Sequence, residues 1–266
     1  MRERDAGQWR WLATVVICWL TLWLTGCATT GPDAAESEVS HTDWATTAAP
    51  SAGRITWVHQ TFPGKRASRY RYERKDGRHT LQVQAASSAS MLRQTVRVEP
   101  HQLGQLRFSW MVPALIDAAD LSQRDGDDSP VRVVLAFDGN RTLFSSKDAA
   151  LSELSEFLTG EPMPYATLMY VWSNHKAAGT VVVNPRTGRI RKIVMESGPG
   201  RLRQWLDYER DVRADFVKAF GEAPGALLAI GIMTDTDNTQ SQTHAWYGPV
   251  RHVLMTEDKS LSPKAD

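Results

Sequence analysis

The chain has 266 residues, with 31 Lys and Arg against 30 Asp and Glu, and 42% of it is hydrophobic. Setting aside Arg2, Arg4, Arg10, Glu3 and Asp5 of the leader balances the two signs, so no global positive field gathers nucleic acid and that class of partner is excluded. Of the two cysteines, Cys18 lies in the apolar leader, which leaves Cys27 alone and rules out an internal disulfide in the remainder.

The leader starts basic and runs from Trp11 to Leu24 without a charge. A bilayer span requires about 20 apolar residues, so this shorter run, with its charged start and small residues after it, predicts a secretory signal peptide over 1–26. Leu24-Thr25-Gly26-Cys27 resembles the lipobox of bacterial lipoproteins. The resemblance implies cleavage before Cys27, acylation of its sulfur (a palmitate-type modification) and anchoring by several acyl chains. Because Ala28 rather than Asp follows, it further implies an anchor in the cell outer membrane, with the domain in the periplasm or at the cell surface. The alternative is an ordinary signal peptide followed by a chance cysteine.

Residues 27–53 are rich in Ala, Thr, Ser and Pro and offer little to bury beyond Trp44, which predicts a flexible tether. A folded domain is expected over 54–258 and a disordered tail over 259–266. In QLRFSWMV, Leu106, Phe108, Trp110 and Val112 share one face; in VRVVLAFD, Val131, Val133, Leu135 and Phe137 do. Further strands are expected at 55–58, 68–74, 79–87, 91–98, 165–173, 190–197, 225–234 and 249–256. About ten short strands at this spacing predict a mainly β fold, a jelly-roll-like β-sandwich. Two accessory α-helices interrupt it. Residues 147–158 set Leu151, Leu154 and Leu158 on one stripe, and 202–221 repeat Trp205, Tyr208, Val212, Phe216, Ala219 and Phe220 at helical spacing before Gly221. On that second helix Asp207, Asp211 and Asp215, at steps of four, would share a face beside Arg203, Arg210, Arg213 and Lys218.

The acidic stretch TDTDNTQ after the strand at 225–234 offers hard oxygen ligands from Asp235, Asp237 and Asn238, which suit calcium. An EF-hand loop starting at Asp235 fails, because Thr239, Gln240 and Trp246 stand where an acceptor, Gly and Glu are needed. Two readings stay open: a looser calcium site, or a turn in which Asp and Asn accept backbone hydrogen bonds. GDDSP at 126–130 is a second acidic turn, and its Asp127 and Asp128, with Arg132, can join Asp235 and Asp237 in one polar site. Among aromatics at strand ends, Trp110 is assigned to the core, whereas Trp172 and Trp246, with Tyr247, are candidates for a platform that stacks sugars. A glycosidase needs two carboxyl groups about 5 to 9 Å apart. Glu196, Asp138, Asp235 and Asp237 are the candidates for such a pair. No GxSxG elbow, HExxH helix or P-loop is present, and the histidines, His175 and His244 among them, lack ligand spacing.

Taken together, LRFSWMVP, GDDSPVRVVLAF, LMYVWS, ERDVRADFVKAFGEAP and IGIMTDTDNTQSQTHAWYG resemble one bacterial family, the domain of unknown function three-zero-four-seven, over roughly 55–255. The resemblance implies a single envelope or secreted domain. It marks Trp110, Asp127, Asp128, Arg132, Trp172, Arg210, Asp211, Asp215, Asp235, Asp237, Asn238, Thr239, Tyr247 and Gly248 as pattern positions, while Pro249 departs from an expected acidic residue. The expected function is a membrane-anchored lipoprotein whose sandwich binds a ligand, a glycan or an envelope protein, without turnover. The alternatives are a polysaccharide hydrolase or lyase on a jelly-roll scaffold, and a structural assembly partner.

Overall fold

Period-two alternation leaves each strand one apolar face, and two sheets of such strands close face to face. The computed structural model describes residues 57–255. In chain order its elements are β1 (Trp57–Thr61), β2 (Arg69–Lys75), β3 (Arg78–Ala86), β4 (Ser90–Val98), β5 (Gln105–Met111), β6 (Ser129–Phe137), α1 (Ser146–Thr159), β7 (Ala166–Ser173), β8 (Val181–Val183), β9 (Ile190–Ser197), β10 (Leu206–Asp211), α2 (Val212–Phe220), β11 (Leu227–Asp235), β12 (Gln242–Tyr247) and β13 (Arg251–Val253). The larger sheet runs β1, β4, β11, β6, β7, β9, β8; the smaller runs β10, β5, β12, β3, β2, with β13 also on β5. All pairings between these strands are antiparallel except β7 with β9. The mainly β sandwich expected from the alternation is therefore the observed architecture.

The core lies between the sheets. Val131, Val133, Leu135 and Phe137 of β6 and Leu168, Tyr170 and Trp172 of β7 pack in one cluster with Leu81 and Val83 of β3 and Leu106, Phe108 and Trp110 of β5. Each such side chain contributes about 1.5–3 kcal/mol on burial. Phe108 stacks on Tyr170 and Tyr208 at 5.3 and 5.1 Å between centroids, so aromatic rings bridge the two layers. The opposite, outer face of the larger sheet is partly covered by the segment between β5 and β6, whose Leu121 packs on Val171, Val182 and Val194.

Both helices differ from expectation in an instructive way. α1 has its expected bounds to within a residue, with Ser145 as N-cap to the Asp148 amide and Gly160 at φ 75° as C-cap. Its leucine stripe, however, does not pack inward: Leu154, Phe157 and Leu158 are 52%, 84% and 53% exposed. The helix sits on its polar side instead, held by Asp148 to Thr187 and by Arg141 to Ser152 Oγ at 2.9 Å. The helix expected over 202–221 is half strand. Leu206 to Asp211 pairs with β5 in full register, and only Val212 to Phe220 is helical. Asp207, Asp211 and Asp215 therefore share no helix face. Asp207 takes a bidentate contact from Arg78 at 2.6 and 3.1 Å, Asp211 caps α2 by accepting the Ala214 amide at 2.9 Å, and Asp215 is buried under Arg210. Strands β8 and β12 were not anticipated. Among the described residues no helix is long and apolar enough to cross a membrane. The leader over 1–26, Cys27 with the tether to residue 53, and the tail over 259–266 lie outside the described residues.

Candidate functional site

The polar residues singled out in the sequence meet at a break in sheet register. Met233 of β11 pairs with Arg132 of β6, but Asp235 pairs with Ser129, so Pro130 and Val131 bulge opposite Thr234. Pro130 lacks an N–H, which favours the bulge there. Tyr247 reaches across from the smaller sheet to fill the gap: its hydroxyl accepts the Arg132 amide at 3.1 Å and donates to the Met233 carbonyl at 2.5 Å. Because Val131 and Val133 face the core, Arg132 between them points to the outer face of the larger sheet, where it is nonetheless buried.

Around Arg132 the charges interlock. Its Nε donates to Asp235 Oδ1 at 2.7 Å, and its Nη2 donates to the Asp127 carbonyl and Oδ1 at 2.8 and 3.1 Å. Lys192, fully buried on β9, donates to Asp127 Oδ2 at 2.6 Å and to the Leu121 carbonyl at 3.1 Å, and Asn184 donates to the same carboxylate at 2.9 Å. Asp128 receives four donors from the turn after β11: the amide and side chain of Asn238 at 3.2 and 3.0 Å, and the amide and hydroxyl of Thr239 at 2.7 and 2.6 Å. Asp237 pairs with Lys65, and Arg186 donates to Asn238 Oδ1 at 3.3 Å. TDTDNTQ thus ends a strand and also closes a buried ion network.

Burial and charge pull the ionisable groups apart. Burial raises the Asp127 carboxyl, but Arg132 and Lys192 more than reverse this and hold it below its ordinary range. Burial opposes the Arg132 charge, yet Asp235 and Asp127 hold the guanidinium firmly protonated. Asp235 fares differently: burial pushes it up to about 6, and Arg132 offsets this only in part because Asp128 and Asp127 repel it. Burial, assisted by Arg132, brings Lys192 down to about 8 against the pull of Asp127. The unequal outcome for Arg132 and Asp235 reflects two carboxylates serving one guanidinium.

This network forms one end of a trough. A cavity of about 200 Å³ bounded by Phe62, Lys65, Asp127, Arg132, Asn184 and Arg186 shares Phe62, Met169 and Met233 with an apolar cavity of about 260 Å³. The second cavity is floored by Val134 and Ala136 of β6 and Ala229 and Gly231 of β11, and walled by Met91, Arg93 and the segment from Ser155 to Pro164. Gly231 keeps the floor low, since a Cβ there would meet Met91 Sδ at 2.5 Å. On the β4 side Arg93, level with Gly231, grips Glu161 at 2.6 and 2.9 Å. A larger hollow, about 770 Å³, lies elsewhere, on the outer face of the smaller sheet. Its charges are surface pairs, Arg78 with Asp207 and Arg107 with Glu209, which screen each other in solvent. The trough, with its buried ions and partial enclosure, is the more specific feature.

Of the sequence candidates, Asp127, Asp128, Arg132, Asp235, Asp237, Asn238 and Thr239 converge, and Tyr247 wedges them from beneath. The others do not join. Trp172 is 1% exposed in the core and donates to the Gly198 carbonyl at 3.0 Å. Trp246 is 8% exposed on the other sheet, with its N–H on Glu73 Oε1 at 2.5 Å and the Lys75 ammonium 4.4 Å above its ring. Neither is an open sugar platform. Arg210, Asp211 and Asp215 sit at the start of α2, where Tyr170 also donates to Asp215 at 2.8 Å. Asp138 is at the opposite end of β6 from Arg132, so it lies about 25 Å along the strand direction from Asp235. Glu196 is taken by Arg201 and Tyr208, both at 2.8 Å. Of the four carboxyl groups considered for glycosidase chemistry, only Asp235 and Asp237 are near each other. Asp128, Asp235 and Asp237 place one oxygen each within 4.8 Å of one another, which is the set that a cation would use. Lys192, Asn184, Lys65 and Arg186 were missed. Lys192 carried one faint signal: it alternates with Val194, an apolar residue on the same face.

No curated protein matches the chain in sequence. Among solved structures it is similar to the xyloglucanase domain of NopAA, an effector from Sinorhizobium fredii, at 7% identity and a TM-score of 0.41, covering 76% of this chain and 94% of that one. It is also similar to Trichoderma harzianum endoglucanase 3 from family GH12, at 7% identity and a TM-score of 0.39, with 77% and 96% covered. The family 11 carbohydrate-binding module of the Clostridium thermocellum cellulase Lic26A-Cel5E is similar at 8% identity and a TM-score of 0.35, with 77% and 93% covered. The family model described as protein of unknown function (DUF3047) matches residues 55–251, a span that contains every residue of the ion network, and the chain belongs to that family.

Proposed function

We propose that this chain is a non-catalytic binding protein of the bacterial envelope, tethered through an acylated Cys27, which holds its ligand in the trough on the outer face of the larger sheet. The observation that carries the reading is the trough, where an apolar cavity and a polar one lined by the ion network adjoin at Phe62, Met169 and Met233. Binding without turnover is supported by the carboxylates. Asp127 and Asp128 are engaged by protein donors through both oxygens, Asp237 by Lys65, and Asp235 through Oδ1 by Arg132 and the Ser129 amide, so these carboxylates already serve the fold's own donors. The test is a titration of the full chain with peptidoglycan fragments, envelope oligosaccharides and amphiphiles, against an Ala136→Leu variant that fills the floor. One class should bind and be lost in the variant at unchanged melting temperature. Binding indifferent to Ala136→Leu, or conversion of the ligand that Asp235→Asn abolishes, overturns the reading in favour of another surface or a hydrolase or lyase. Mass spectrometry of the N-terminal peptide checks the anchor: an acyl mass on Cys27 is expected, and a free thiol there refutes it.

A second reading, glycan binding, is favoured by a different face. Across the outer side of β2, β3 and β12, Arg69, Gln82, Gln84, Gln242 and His244 line a shallow hollow of about 500 Å³. Amide and guanidinium groups in a row suit hydroxyl ligands. Oligosaccharide binding that survives Ala136→Leu but not Gln84→Ala with Gln242→Ala would support it.

A further inference from the structure

Two features of the larger sheet's outer side point to the same chemistry. The trough floor along β11, from Ala229 through Gly231 and Met233 to Asp235, is about 20 Å long at strand rise, and its side chains before Asp235 are apolar, the polar groups of Gln60, Ser155, Thr159 and Thr167 standing around it. Met91, Met163, Met169 and Met233 line it, and flexible thioethers adapt to a chain of variable bend. Its 260 Å³ accommodate roughly eight or nine groups of methylene size, taking about 30 Å³ each, the share of a water molecule. Beside it stands α1, whose Ser155 and Thr159 form the wall while Leu154, Phe157 and Leu158 face solvent. A helix packed by its polar side, with its apolar side outward next to an apolar trough, fits an apolar phase better than water. At the other end Arg186 is exposed and spends a single guanidinium hydrogen bond on Asn238, which leaves donors for an anionic head group.

We propose that the trough holds the aliphatic chain of a free fatty acid, with its carboxylate at Arg186 and with α1 touching the lipid surface that supplies it. The inference rests on the trough being the ligand site, as proposed above, and adds the ligand class.

The full chain, reconstituted in phosphatidylcholine vesicles containing photoactivatable decanoic acid, whose chain matches the cavity volume, is irradiated and the labelled peptides are mapped. Label is expected on peptides carrying Met91, Met169 or Met233, to be competed by unlabelled decanoate, and to fall about tenfold in Ala136→Leu and Ala229→Leu. Phe157→Glu should slow the labelling without changing its position. Label confined to α1 or scattered over the smaller sheet overturns the acyl-chain site. If an oligosaccharide binds in an Ala136-dependent way while decanoate does not, the trough stands as the site and the ligand class is wrong. If neither ligand depends on Ala136, both readings fail. Because the wild-type label map needs no variant, misfolding of the leucine variants leaves the proposal open to refutation.

Discussion

At the scale of single residues, Arg132 is the joint on which the polar end depends. It neutralises Asp127 and Asp235, and all three are 5% exposed or less. Removing one partner of a buried ion network leaves the others desolvated and unpaired, so Arg132→Ala should cost about 3–5 kcal/mol. Lys192→Met should cost less, because Asp127 keeps Arg132 and Asn184. Urea midpoints decide it: a loss below about 1 kcal/mol for Arg132→Ala, the range of a solvent-exposed pair, would show that the network is hydrated and loose. The shifted groups add a pH signature. Between the unfolded value of 3.8 and about 6, folded Asp235 keeps a proton that the unfolded chain releases, so its contribution is complete below 3.8 and is lost as pH rises through 6. For Lys192, held at about 8 against 10.5, the unfolded chain binds a proton that the folded one refuses, so stability falls as pH drops from 10.5 to 8 and is level below. The difference in unfolding free energy between wild type and Asp235→Asn should therefore decline from pH 4 to 6 and then flatten. A difference curve that rises over that interval contradicts the assigned direction.

At the scale of elements, the junction of β10 and α2 is decided by Asp211, which ends a strand and caps a helix. Asp211→Ala should destabilise by about 1 kcal/mol through loss of the Ala214 hydrogen bond. Asp207→Ala, two periods earlier on the strand, removes only an exposed pair and should cost between zero and about 1 kcal/mol. Equal and large losses would restore the continuous helix that spacing suggests. That misreading has a physical origin: a step of four is one helical turn but also two strand periods, so Tyr208, Val212 and Phe216 satisfy both patterns until β5 supplies hydrogen bonds to Leu206–Asp211. Alternation made β5, β6 and β7 legible because their inward faces are uniformly apolar. Helical spacing located α1 but not its orientation, since a leucine stripe names a buried side only if an apolar partner exists. The site was legible in its residue types, in Asp127, Asp128, Arg132, Asp235 and Asp237, but their meeting depends on β6 pairing with β11 across a bulge, which no local spacing encodes. Lys192 stayed hidden because Arg191 and Lys192 together look like a solvated strand end, whereas the sheet buries one of them completely.

At the scale of the whole sandwich, the two outer faces have opposite characters, and this bears on whether the acidic end holds a metal. The smaller sheet presents Arg, Gln and paired carboxylates to solvent, and the larger presents an apolar trough with the ion network at one end and the Arg93–Glu161 pair at its wall. Asp128, Asp235 and Asp237 offer oxygen atoms of the kind calcium prefers. The same end, however, already sets Arg132, Lys192, Lys65 and Arg186 against Asp127, Asp128, Asp235 and Asp237, so the charges cancel. A divalent ion would have to displace Lys65 from Asp237 and sit beside the Arg132 guanidinium, both of which disfavour it. A ligand that binds only the native state raises the melting temperature, and its removal lowers it. Treatment of the full chain with chelator should therefore leave the melting temperature unchanged, and added calcium should not raise it. A drop of several degrees on chelation, recovered by calcium and abolished in Asp237→Asn, would mean that Lys65 is a displaceable placeholder and that the polar end of the trough is a metal site.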